Sequence, residues 1–178
     1  VTEPLFTPLV AGLPKVELHL HLETSLRLRR LLARRDQVQA PFDDPHLVAD
    51  PALFAGYDRL RRLRYAGRAG RIPDSAYTRE NIGAITAELL REAAGQSTRH
   101  VEIRVGGRRG FSLLSVRGML EAMAEGAAAA AVPGLSQGFI ITVVRERGPE
   151  EAARLIDAAV ACRDCGVIGV DLAGDEEN

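Results

Sequence analysis

Residues 16–23, Val16-Glu17-Leu18-His19-Leu20-His21-Leu22-Glu23, alternate strictly between apolar and polar. That period of two is the signature of a strand with unlike faces. Val16, Leu18, Leu20 and Leu22 fall on one face, and Glu17, His19, His21 and Glu23 on the other. Ser25 is placed to cap a short helix over 26–35, and the Pro- and Asp-rich stretch 40–51 reads as loop. Leu53, Phe54, Tyr57, Leu60 and Leu63 recur at helical spacing within 50–63. A second amphipathic helix is predicted over 78–94, stopped by Gly95. Then comes a strand over 100–105, with Val101, Ile103 and Val105 opposite His100, Glu102 and Arg104. After a glycine-rich turn a long helix is predicted over 113–132, whose alanine run 127–131 has strong helix propensity. A strand over 138–144, a helix opened by Pro149 and ending near Cys165, and a strand over 167–172 complete the pattern.

Strands separated by helices imply βαβ units and a parallel sheet. Right-handed crossovers then place each strand beside the previous one. In an open doubly wound sheet both faces meet helices and are apolar. These strands each keep a polar face, with Glu17, His19 and His21, then Glu102 and Arg104, then Thr142, then Asp171. A barrel with an active site in its upper interior tolerates such a face, so the pattern favours part of a barrel. No Gly-rich phosphate fingerprint follows the first strand, which argues against a dinucleotide site.

At 178 residues, 46% of them hydrophobic and 26% charged, one domain over 1–178 is the natural reading. No apolar run approaches the roughly 20 residues that cross a bilayer, and no basic patch leads into an apolar stretch at the N-terminus. A net charge of −1 and 4% aromatic residues give no sign of a nucleic-acid partner. Lys15 is the only lysine among 23 basic residues, and the arginines cluster over 27–35 and 59–71 as solvated helix faces do. Cys162-x-x-Cys165 lies at a helix end and reads as packing against the fourth strand. The expectation is a cytoplasmic protein.

The informative chemistry is His19-Leu20-His21. Residues two apart on a strand project the same way, and neutral imidazoles suit Zn²⁺ and similar ions. The plain alternative is a polar pair on a wet strand face. Glu102 and Arg104 are expected to point inward, with Glu17 as a charge partner.

The string Leu13-Pro14-Lys15-Val16-Glu17-Leu18-His19-Leu20-His21-Leu22-Glu23 resembles the opening of the adenosine deaminase family, and Val167-Ile168-Gly169-Val170-Asp171-Leu172-Ala173-Gly174-Asp175-Glu176 resembles a later motif of it. Between them, His100-Val101-Glu102-Ile103-Arg104 is similar to its second-strand motif, and Pro149-Glu150-Glu151-Ala152 to the start of the helix before its fourth strand. The resemblance implies an α/β fold, half of a TIM (β/α)8 barrel. It also implies hydrolytic deamination of a 6-aminopurine nucleoside with a zinc cofactor. His19 and His21 would be metal ligands, and Glu23 and Gly174 would contact substrate. The family's third zinc histidine, catalytic glutamate, orienting histidine and metal-binding aspartate come from strands five to eight, which have no counterpart here. No catalytic residue is therefore expected in this chain, and the implied partner is a complementary polypeptide supplying those strands. Thr24 departs from the family's usual glycine. The alternative is an inactive half-barrel that binds or scaffolds, or a purine-modifying activity other than deamination.

Overall fold

A computed structural model describes residues 7–22, 77–106 and 108–176. The helices expected over 26–35 and 50–63, the loop 40–51 and both arginine clusters lie outside those residues.

The chain runs α1 (Thr7–Gly12), β1 (Lys15–His21), α2 (Arg79–Gly95), β2 (Thr98–Val105), α3 (Arg108–Ala130), β3 (Ser136–Val144), α4 (Gly148–Ala161) and β4 (Val167–Ala173), with 3-10 turns at Arg145–Arg147 and Arg163–Cys165. All four strands pair in parallel in the order β1-β2-β3-β4, as the alternation of strands and helices predicts. Val101, Ile103 and Val105 on one face of β2 are fully buried. They share that face with Phe139 and Ile141 of β3, which pair beside Ile103 and Val105. Ile82 and Leu90 of α2 and Met119, Leu120 and Met123 of α3 are buried to the same degree. Burial of these side chains is the main force holding helices to sheet. The hydroxyl of Thr86, also buried, is satisfied within α2 by donating to the Ile82 carbonyl at 2.9 Å.

The edge strands are different. Val16 and Leu18 of β1 are 62% and 49% exposed, and Val170 and Leu172 of β4 are 49% and 54% exposed. Parallel strands are ordinarily covered on both faces. In this chain large apolar side chains on both outermost strands are exposed.

Two features escape the hydrophobic pattern. Helix α1 is short and exposed, and its end is held by Lys15, whose ammonium donates to the carbonyls of Ala11 and Leu13 and to that of Gln96, just past α2. One cation thus takes up carbonyls at the C-terminal ends of two helices. Helix α3 begins five residues earlier than the sequence suggests, at Arg108, and breaks at Ser115, which has φ 62° and ψ 166°. The Ser115 hydroxyl accepts the Gly118 N–H at 3.1 Å, a side-chain cap that starts the second part of the helix.

Candidate active site

β1 and β2 are out of step twice. Between Lys15 and Val16, β2 carries one extra residue; between Glu17 and Leu20, β1 carries one extra. The second irregularity is a bulge, which leaves backbone groups without ladder partners. Side chains take up two of them. The His19 N–H donates to the Glu17 carboxylate at 2.9 Å, and the Leu18 carbonyl accepts from the Arg104 guanidinium. Past the bulge the register is restored, with Leu20 beside Ile103 and His21 beside Arg104.

Here the two sequence-predicted ligands meet. His19 Nε2 and His21 Nε2 lie 3.0 Å apart, with ring centroids 5.0 Å apart. A single ion about 2.0–2.1 Å from each nitrogen spans that separation, and imidazole nitrogen is a donor suited to zinc. The pair therefore fits such an ion. Among the described residues no group of three or more His, Cys, Asp or Glu is arranged to hold a metal. Glu23 lies outside the described residues, as does Thr24.

The rest of the polar face is organised around Arg104. Its Nε donates to Asp171 Oδ2 at 2.9 Å, joining β2 to β4 across the intervening strand. The Glu17 partner expected from sequence is thus replaced by Asp171. Glu17 is engaged by its own strand, because the bulge offers it a free N–H. In β3, Thr142 pairs beside Asp171 and is 5% exposed, and its hydroxyl has no hydrogen-bond partner among the described residues. At the other end of β2, the Ser136 hydroxyl donates to the Arg99 carbonyl at 3.2 Å and accepts from His100 Nδ1 at 2.8 Å. His100 Nε2 is 3.8 Å from Glu102.

Gly174 follows β4 with φ 116°, a backbone conformation that favours glycine. Glu146, in the turn after β3, accepts the Asp175 N–H at 2.7 Å, and the neighbouring Arg145 pairs with Glu176 at 3.0 Å. The end of β3 thus clamps the segment after β4 at two points. That backbone hydrogen bond holds the Glu146 carboxyl below the usual range. Sequence reasoning singled out Gly174 and missed Glu146, for which no local motif exists.

Cys162 and Cys165 are free and buried at the end of α4, and burial pushes both thiols up. That is the packing role read from sequence. Among the described residues no helix is long and apolar enough to cross a membrane.

Residues 14–178 match the model of the family described as adenosine deaminase. An adenine deaminase of Chlorobium luteolum is 30% identical over 98% of this chain and 50% of its own length. An amidohydrolase structure from Burkholderia ambifaria with bound Zn is 25% identical, covering 96% of this chain and 47% of its own, with a TM-score of 0.69. The Arabidopsis ADAL structure complexed with IMP is 23% identical, covering 96% and 52%, with a TM-score of 0.68. The chain spans about half the length of the curated relatives it matches. Four parallel strands in sequential order, set against neighbours about twice as long, are half of a TIM barrel.

Proposed function

The chain belongs to the adenosine deaminase family, and from that premise we propose that it is the part of a zinc-dependent deaminase that supplies two metal ligands and one wall of the substrate site. The supporting observation is the 3.0 Å approach of His19 Nε2 to His21 Nε2 on the polar side of the sheet. His19 and His21 would hold the ion, which supplies Lewis acidity at the site when bound. The substrate class is a 6-aminopurine nucleoside or a close relative, in keeping with the adenine and adenosine deaminases among its relatives.

This chain's own residues then have definite tasks. The two imidazoles would hold the ion through their ring nitrogens. Gly174, held in shape by Glu146, offers backbone close to the purine without a side chain in the way, and Glu23 contacts the sugar side. The general acid and the remaining ligands come from a complementary half carrying strands five to eight, because zinc catalysis ordinarily needs three or more protein ligands and an open position.

The test mixes the purified chain with a polypeptide carrying strands five to eight of a relative, with zinc, and follows adenine, adenosine and AMP deamination. The chain alone is inactive, the mixture is active, and His19→Ala or His21→Ala abolishes activity and zinc retention. Full activity of those variants overturns the ligand assignment.

A second reading is favoured by the lack of a three-ligand cluster among the described residues. In it the half-barrel is a catalytically inactive binding or scaffolding partner. A stable, metal-free homodimer in solution would support it against the first.

A further inference from the structure

We propose that Arg104 is a positioning residue for the His19–His21 pair, fixing the β1 bulge that carries His19 and leads into His21. The proposal deepens the metal-site reading above and takes its functional meaning from it.

Three observations converge on Arg104. Its guanidinium reaches Leu18, the residue immediately before His19 and inside the bulge, and donates to that carbonyl. A second edge of the same guanidinium is fixed by Asp171 of β4 at 2.9 Å, with the two side chains only 15% and 25% exposed. Its backbone also closes the strand end, since His21 pairs beside it and the Leu22 N–H donates to the Arg104 carbonyl at 2.9 Å. Asp171 aims the fork, the fork holds Leu18, and Leu18 sets the path of the backbone into His19. A bulge has no ladder of its own to define it, so an outside donor is what makes its shape single-valued.

The geometry requires arginine. The two acceptors lie on strands at opposite edges of the sheet and are met by different nitrogens of one planar group. A lysine ammonium is a point donor on a flexible stem and cannot hold both with the same orientation.

Charge and position make opposite predictions, which gives a clean test. If Arg104 acted only as a nearby cation, its removal would strengthen zinc binding by relieving like-charge repulsion. If it positions the imidazoles, removal weakens binding. The experiment titrates Zn²⁺ into the full chain and its Arg104→Met, Arg104→Lys and Asp171→Asn variants. In parallel, ring-nitrogen NMR of the metal-free proteins follows His19 and His21, with His100 as an internal reference on β2. Zinc affinity is expected to fall about tenfold or more in both Arg104 variants, the scale seen when groups that orient metal ligands are removed. The His19 and His21 ring signals should move while those of His100 stay in place, and Asp171→Asn should give a smaller shift in the same direction. Unmoved His19 and His21 signals in the Arg104 variants, or tighter zinc binding by Arg104→Met, overturn the proposal. Should the Arg104 variants fail to fold, Asp171→Asn, which preserves shape, decides alone. Failure of the wild-type chain to bind zinc would count against the metal reading, whereas the ring signals still decide the role of Arg104.

Discussion

The Glu146 carboxylate fills the space that a β-carbon on Gly174 would need. Such an atom would stand 2.9 Å from Glu146 Cδ and 3.0 Å from its Oε1. Gly174→Ala therefore forces the carboxylate aside, breaks its bond to the Asp175 N–H, and places an L-residue at φ 116°. The backbone strain alone is worth about 1–3 kcal/mol. A lower urea midpoint with an unchanged m-value is the expected result.

Acid sensitivity follows from the same carboxylate. Its folded pKa lies below its unfolded value. Its stabilisation is thus complete above the ordinary carboxylate range and is lost as pH falls through the folded pKa. Glu121 and Glu125 beside Arg79, and Asp164 beside Arg117, are lowered for like reasons and act in the same window. Glu146→Gln should be less stable than wild type near neutrality, and the gap should close below pH 4. Thermal melts across pH 3–7 at fixed ionic strength measure this, and a constant gap would remove Glu146 from the account.

Helices α2 and α3 meet at two glycines with unequal tolerance. A β-carbon on Gly126 would run into the backbone of Gly83, lying 2.8 Å from its carbonyl carbon and closer still to the oxygen, whereas one on Gly83 would be 3.2 Å from the Ala122 carbonyl oxygen. Gly126→Ala must push the helices apart, at a cost of about 1–3 kcal/mol for overpacking. For Gly83→Ala, the gain in helix propensity of up to about 1 kcal/mol offsets a milder crowding. Equal effects in chemical denaturation would contradict this ordering.

Thr142 keeps a buried hydroxyl with no partner among the described residues. An unsatisfied buried polar group costs about 1–3 kcal/mol, and an apolar replacement of the same shape removes that cost. Thr142→Val is expected to raise the melting temperature of the isolated chain. A drop would mean that the hydroxyl has a partner, such as ordered water.

Cys162 and Cys165 should resist thiol reagents in the native state, since both are buried and their pKa values are raised. Labelling should accelerate only as denaturant opens the end of α4. Fast native labelling of either would contradict their burial.

The sequence was most readable where one period governed a long stretch. The alternation over 16–23 found β1 and put His19 and His21 together, and βαβ spacing gave the strand order. It was least readable where long-range partners decide the outcome. Glu17 and Arg104 share a polar face by alternation and were expected to pair, yet the bulge gives Glu17 a backbone N–H and Arg104 turns to Asp171, 67 residues away. The Ser115 break in α3 lies among residues compatible with a helix, and only its cap to Gly118 marks it. Helix α1 carries no amphipathic stripe, and Lys15 holds its end from outside.

The two slips between β1 and β2 cancel, one residue gained on each strand, so both pairs of strand ends stay level. Loss of the extra residue at Leu18 would make the ladder over 17–20 regular while leaving Leu20 beside Ile103 and His21 beside Arg104. His19 would then pair beside Glu102, on the same side as His21, and β2 would take up the backbone groups that Glu17 and Arg104 now satisfy. What the extra residue changes is the local spacing of the rings and not the side they face, so a homologue one residue shorter here would keep both imidazoles on this side and have no use for either side-chain partner.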